Sequence, residues 1–291
     1  MRWRRGLPRR VAGALVAAGH GVSIIETEGP GTAGAIARRQ IEQGADLILA
    51  LGGDGTLNEI LPGVVRTGVP LGVVPGGTAN VLARELGLGV SALRMVPRLA
   101  ECVPIRVPVA VLKCEPGAAP RYFLLMAGVG FDAHIVYRLN LPLKAKAGQL
   151  AYWISSFSEF FRRLDEFQVE VNGETFTCSF ALASRVRNYA GYLHIARRVS
   201  LEKPEFEMVL FEGASALRSY LKYLAAVVTG RTANVRGMSF LRATSARFSG
   251  PQDPRIYVQV DGEYAGRLPA TVELEPDALT LLVPPEFARR A

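Results

Sequence analysis

The sequence predicts an α/β, Rossmann-like domain over residues 1–104 followed by a β-rich, mostly antiparallel domain over residues 105–291. Three observations predict it. Up to about residue 100 the apolar pattern alternates between helical and strand periods, as αβ units require. The run Leu47-Ile-Leu-Ala-Leu51 is continuously apolar, the pattern of a buried parallel strand. From Ile105 onward strand windows dominate, and Asn172-Gly173 between two of them is a hairpin signal, because both central residues of a type I′ turn need positive φ.

Element by element, residues 8–19 suit a helix, 21–26 a strand, 32–43 a helix, 46–51 a strand, 56–66 a helix, 70–74 a strand and 79–87 a helix. In the second half strands are predicted at 105–114, 122–127, 167–171, 175–183, 206–211, 243–248, 255–260 and 279–283. Two helical windows interrupt them, 147–163 and 215–229, the latter with Leu217, Leu221, Leu224, Val227 and Val228 on one stripe of core character. The last residues are expected to pack back on the first domain.

Composition narrows the class. With 49% apolar and 21% charged residues in a chain of 291, the protein is globular rather than disordered. Cys102, Cys114 and Cys178 are odd in number and lack CxxC spacing, so they read as buried free thiols in a reducing compartment. His20, His134 and His194 lack metal-ligand spacing. No window reaches the roughly 20 apolar residues that span a bilayer. The basic start MRWRRGLPRR leads into a short alanine-rich stretch and a strand pattern, which reads as a helix rather than a secretory leader. The net charge of +8 suits an anionic partner. Nucleic acid is not expected, because no stacking aromatics accompany the basic clusters.

Two glycine loops carry the chemistry. The predicted strand 46–51 runs into Leu51-Gly-Gly-Asp-Gly-Thr-Leu-Asn-Glu-Ile60 and a helix, which places Gly52, Gly53 and Gly55 at the carboxyl edge of a parallel sheet, where open α/β folds bind ligands. Glycine there allows φ > 0 and lets an anion approach backbone N–H groups. Thr56 and Glu59 match a capping box, the purely structural alternative for those two residues. A second loop, Pro75-Gly-Gly-Thr-Ala-Asn80, again follows a strand and opens a helix. Asp54 is electrostatically wrong among phosphate-binding amides unless it meets Mg²⁺, a proton to be removed, or a capping donor; the bland alternative is a turn aspartate accepting backbone N–H bonds.

Gly52-Gly-Asp-Gly-Thr-Leu-Asn-Glu59, Pro75-Gly-Gly-Thr-Ala-Asn80 and Ala83-Arg84 resemble the catalytic domain of the diacylglycerol kinase and sphingosine kinase family, in particular its bacterial soluble lipid kinases. Ala127-Gly-Val-Gly-Phe-Asp132 resembles that family's second glycine-rich segment, Lys146-Ala-Gly-Gln-Leu-Ala-Tyr152 its K-x-G-x-x-x-Y helix start, and Val260-Asp-Gly-Glu263 with Leu268-Pro269 its terminal D-G-E motif. The matches run in the family's order from about residue 27 to 284.

This resemblance implies an α/β domain of the NAD kinase/diacylglycerol kinase type and a β-sandwich-like second domain with a nucleotide site between them. ATP phosphates would lie on Gly52, Gly53, Asp54, Gly55, Thr56, Leu57 and Asn58, flanked by Gly76, Gly77, Thr78 and Asn80, with Thr27 as a further contact. Glu263 and Asp261 would supply the acceptor and Mg²⁺-facing carboxylates, and Asp54 would orient the hydroxyl or a metal-bound water. A solvated hairpin turn is the alternative for Asp261-Gly-Glu263. The reaction implied is γ-phosphate transfer from ATP to the hydroxyl of diacylglycerol or a related long-chain alcohol, by a cytoplasmic enzyme visiting an anionic membrane surface.

Basic residues at Lys144, Lys146, Arg162, Arg163, Arg185, Arg187, Arg197 and Arg198 suit such a surface collectively and a solvated face individually. Two departures stand out. MRWRRGLPRR replaces the family's opening strand and N-P-x-S-G loop, and the stretch 196–207 lacks the paired aspartates of a structural Mg²⁺ site. Two other functions share parts of this pattern: a non-catalytic nucleotide- or lipid-binding homologue, and a small-molecule kinase of the NAD kinase type.

Overall fold

The structure, a computed structural model, describes residues 6–114, 119–130, 165–189, 193–212, 222, 223, 226, 235–250 and 256–289. Phe131, Asp132, His134, Lys144, Lys146, Tyr152, Arg162, Arg163, the window 147–163 and most of 215–229 lie outside these residues. The chain divides into two compact units, residues 1–109 with 276–291, and residues 110–275.

In the first unit, strands β1 (Ile48–Gly52) and β2 (Leu71–Pro75) run parallel, in register from Ile48 opposite Leu71 to Gly52 opposite Pro75. The end of β15 (Ala270–Val283) continues this parallel set, with Leu281 opposite Leu71. Helices α1 (Leu7–Ala17), α2 (Ala33–Glu42), α3 (Asp54–Val64), α4 (Val81–Glu85), α5 (Ala92–Leu99) and α6 (Pro285–Ala288) accompany the strands. Every residue of β2 is buried. Helices α2 and α3 pack backbone to backbone where their glycines meet: a Cβ on Gly63 would lie 2.1 Å from the Gly34 carbonyl oxygen, and one on Gly34 would lie 2.8 Å from that of Glu59.

Two expectations fail here for one reason. Residues 21–26 form no strand, and Ile24 and Ile25 are each 45% exposed. An extended segment becomes a strand only where a neighbour offers backbone donors and acceptors, and none of the described strands pairs with this one. The run 47–51 is correspondingly not fully buried. Ala50 and Gly52 are buried while Ile48, Leu49 and Leu51 are half-exposed, because β2 is the partner of β1 and no other described strand covers its far edge. Helix α5 is an addition to the expected elements. Its Ala92, Met95, Val96 and Leu99 are buried at helical spacing, and Pro97 interrupts the pattern without breaking the helix.

The second unit is β-rich and sandwich-like. The chain order along its sheet is β15, β12 (Ser245–Ser249), β6 (Phe167–Val171), β7 (Glu174–Ser184), β5 (Met126–Gly130), β13 (Tyr257–Val260), β14 (Glu263–Arg267). Strand β10 (Phe206–Glu212) pairs with both β7 and β11 (Met238–Ala243), and β3 (Val103–Cys114) with β4 (Arg121–Phe123). The short pair β8 (Asn188–Tyr189) and β9 (Leu193–His194) stands apart. The Asn172-Gly173 hairpin forms as the dipeptide predicts, with φ of 53° and 81° joining β6 to β7. Alternation along β6 buries Phe167, Val169 and Val171 against a core that includes Phe123, Phe206, Phe248 and Val258. Cys114 and Cys178 are buried, and the Cys178 thiol is pushed up to about 12 by that burial, whereas Cys102 is half-exposed.

Candidate functional site

The two glycine loops of the first unit form one joint. The Gly76 N–H donates to the Gly52 carbonyl at 2.8 Å. A Cβ on Gly77 would lie 2.4 Å from the Gly53 Cα, and a Cβ on Gly53 would lie 3.1 Å from that of Gly77. Neither Gly52, Gly53, Gly55, Gly76 nor Gly77 has positive φ. The expected freedom to take φ > 0 is therefore not what these positions use; close approach of two backbones is. Gly52 is required by a neighbour as well, since a Cβ there would lie 2.6 Å from the Thr56 hydroxyl.

Helix α3 begins at Asp54, two residues before the expected start, with Gly53 as its N-cap and no side-chain capping bond. The Thr56/Glu59 capping box therefore does not form. Thr56 sits inside the first turn, and the Glu59 carboxylate instead accepts the Gly31 N–H at 2.8 Å, tying the loop after Thr27 to α3. Thr27 itself is exposed in that segment. Gly53 makes no side-chain capping bond and the Asp54 N–H is engaged by its own carboxylate, so the remaining N–H groups of the first turn and the positive end of an 11-residue helix form a donor set suited to phosphate oxygens. Leu57 and Asn58 are buried on the packed side of α3, at 5% and 6% exposure, so their side chains belong to the fold.

Asp54 is engaged by the other loop. Its Oδ2 accepts the Val81 N–H at 3.1 Å and its Oδ1 the Leu82 N–H at 3.2 Å, the turn-aspartate alternative of the sequence reading. Burial pushes the Asp54 carboxyl above the usual aspartate range, opposed by those two amides, by its own N–H and by the charge of Arg84. Asn80, with φ of 47°, turns its side chain onto Gly77: Oδ1 accepts the Gly77 N–H at 2.7 Å and Nδ2 donates to the Gly77 carbonyl at 2.9 Å. Thr78, at the crest of that loop, is exposed.

In the second unit the motif Asp261-Gly262-Glu263 is itself a hairpin turn. Asp261 and Gly262 have φ of 49° and 81°, and Val260 pairs with Glu263 across them. Asp261 is clamped to β5: its N–H donates to the Met126 carbonyl at 2.9 Å, and its Oδ1 accepts the Met126 N–H at 2.9 Å. The glycine-rich segment 127–130 and the D-G-E motif, far apart in sequence, are thus neighbours, with Ala127 opposite Val260 and Val129 opposite Val258. Gln259 is a contributor the sequence reading missed. It is 2% exposed, and its Oε1 accepts the Gly262 N–H at 2.8 Å, fixing the turn from below. A polar residue inside the apolar strand Tyr257-Val-Gln-Val260 was the available signal.

The basic residues separate. Arg185 is fully buried, its guanidinium donating to the Leu201 carbonyl at 2.5 Å, and burial pushes its pKa down to about 9. It belongs to the core, neither on a solvated face nor toward a membrane. Arg187, Arg197 and Arg198 are exposed, and the Arg197 guanidinium lies 4.4 Å from the Phe240 ring centroid. In the stretch 196–207 the buried Glu207 carboxylate accepts the N–H groups of Arg197 and Arg198.

Comparison with known proteins gives this geometry its context. Residues 2–111 match the diacylglycerol kinase catalytic domain, and residues 126–283 match the YegS C-terminal NAD kinase beta sandwich-like domain. The chain belongs to the diacylglycerol kinase family. Membership in it makes the protein a phosphotransferase with an alcohol group as acceptor. Among relatives, a diacylglycerol kinase of Staphylococcus saprophyticus is 29% identical over 261 residues, covering 88% of this chain and 82% of its own. One of Bacillus subtilis is 26% identical over 258 residues, covering 87% and 82%. A solved diacylglycerol kinase structure from Bacillus anthracis has the same fold, with a TM-score of 0.74 at 20% identity over 96% of this chain and 91% of that one. An NAD kinase from Archaeoglobus fulgidus in complex with ATP shares it more distantly, with a TM-score of 0.58 at 13% identity over 98% and 92%.

Proposed function

We propose that this member of the family transfers the γ-phosphate of ATP to the hydroxyl of diacylglycerol or a related long-chain lipid alcohol. The observation that carries the reading is the joint of the two glycine loops, which sets the first turn of α3, without a side-chain capping bond, beside the second loop. The N–H groups there, with Thr56, would hold phosphate oxygens, and Gly76, Gly77, Thr78 and Asn80 would bound the nucleotide from the second loop. Phosphoryl transfer needs little covalent chemistry from the protein, so positioning of this kind supplies much of the catalysis.

In the second unit, Glu263 and Asp261 are the carboxylates we assign to the acceptor and to Mg²⁺. When bound, Mg²⁺ would neutralise charge on the phosphates. Among the described residues no group of three ligating side chains gathers to hold a metal. Two carboxylates nonetheless suit Mg²⁺, which usually takes one or two protein carboxylates and completes its shell with phosphate oxygens and water. The clamp of Asp261 on Met126 and of Gly262 on Gln259 keeps this turn in one geometry.

The lipid implies a membrane. No helix among the described residues is long and apolar enough to cross one. The net charge of +8, with Arg187, Arg197 and Arg198 exposed, supports peripheral attraction to an anionic cytoplasmic leaflet. The test is a transfer assay with labelled ATP and Mg²⁺ against diacylglycerol, sphingosine and ceramide in mixed micelles, with NAD as a control. Label in diacylglycerol supports the reading. Label in NAD alone would move the protein to the NAD kinase type, and ATP binding without transfer to any acceptor would make it a non-catalytic homologue.

A further inference from the structure

We propose that Asp54 is a positioning residue, a latch that holds the second glycine loop against the first, and not the group that takes the substrate proton. This rests on the reading of the two loops as the nucleotide site.

The first amides of a helix need acceptors from outside it. The N-cap residue Asn80 is the usual source, but its side chain is committed to both polar groups of the Gly77 backbone. The amides of Val81 and Leu82 take the two oxygens of Asp54 instead, across 27 and 28 residues of sequence. Together with the Gly76 to Gly52 bond and the contact of Gly53 with Gly77, this closes a ring of backbone between the ends of β1 and β2. In it, the Asp54 side chain joins the GGDG loop to α4.

A base for the acceptor hydroxyl must present a free lone pair within hydrogen-bond reach of the proton and then hold that proton. A proton taken by Asp54 would turn one of its two acceptor oxygens into a hydroxyl and so disturb one of the bonds to α4 at the moment of transfer. As a latch, the same carboxylate accepts both amides at once, a role that asks for no change of protonation during the reaction. Burial works against ionisation, and the amides of Val81, Leu82 and Asp54 itself support it, followed by the charge of Arg84.

The test uses the full-length chain labelled with ¹⁵N. In the wild type the amide signals of Val81 and Leu82 should titrate together in the acid range with one midpoint, and in Asp54→Asn that shared titration should vanish. For transfer, Asp54→Asn should raise the KM for ATP about tenfold or more while kcat falls by less, the split expected of lost positioning. Absence of a titration at Val81 and Leu82 in the wild type overturns the proposal, even if the variant fails to fold. A kcat loss of about 10² or more at saturating ATP with unchanged KM, the scale of a lost acid–base group, also overturns it. If the chain proves to transfer no phosphate, the proposed function fails but the titration still decides the latch.

Discussion

Gly53 and Gly77 stand so close that a Cβ on Gly77 would lie 2.4 Å from the Gly53 Cα. No real Cβ contact is that short, and both neighbours are backbone, so any side chain at position 77 must push the two loops apart. Gly77→Ala should cost about 1–3 kcal/mol, the range for overpacking a tight site, and should weaken nucleotide binding. Urea unfolding and isothermal titration with ATP check the two halves separately.

The contact of α2 with α3 makes a parallel prediction away from the loops. Gly63→Ala forces a methyl group to within 2.1 Å of the Gly34 carbonyl oxygen unless the helices separate. A loss of about 1–3 kcal/mol is expected, visible as a lower midpoint in urea. Gly68→Ala is not the right control, because its φ is 78°. Gly13→Ala is, with open space around it in α1.

Asp54 sets a pH dependence whose sign follows from its raised pKa. The unfolded chain gives up this proton at lower pH than the folded one. The contribution of Asp54 to stability is therefore fully present below the ordinary aspartate value and is lost as pH rises through the folded value. Relative to Asp54→Asn, the wild type should become less stable as pH rises across that acid window. Urea titrations of both chains at several acid pH values would show it; an opposite slope would mean that the amides outweigh burial.

At the D-G-E turn, Asp261→Asn and Asp261→Ala should separate. Asparagine retains an oxygen for the Met126 N–H, so it should stay within about 1 kcal/mol of wild type, while alanine should lose about 1–3 kcal/mol by leaving that amide without its acceptor. Gln259→Leu should behave as the alanine variant does, through Gly262. Thermal unfolding ranks the three.

What the sequence made legible was local. The Asn172-Gly173 turn needs two adjacent positive φ values, and α2 and α3 announce themselves by helical spacing within a dozen residues. The unread features depend on partners far away in the chain. A strand at 21–26 has the right composition but no partner among the described strands, and composition carries no record of that. The glycines of both loops were visible, but each is required by what approaches it, which the letters do not show. Asp54 finds its donors 27 and 28 residues on, and Asp261 is clamped by Met126, 135 residues back. Both were marked as site residues by motif, while the contacts that constrain their roles came from topology.

The most direct measurement is transfer of labelled γ-phosphate to diacylglycerol in mixed micelles by the wild-type chain, Gly53→Asp and Asp261→Asn. Labelled lipid is expected from the wild type, with a loss of about 10² or more in both variants. The first variant would fail through the loop joint, and the second would fail with its fold retained. Wild-type rates in a folded Asp261→Asn chain would contradict the assignment of that carboxylate, and wild-type rates in Gly53→Asp would contradict the loop joint as the nucleotide site.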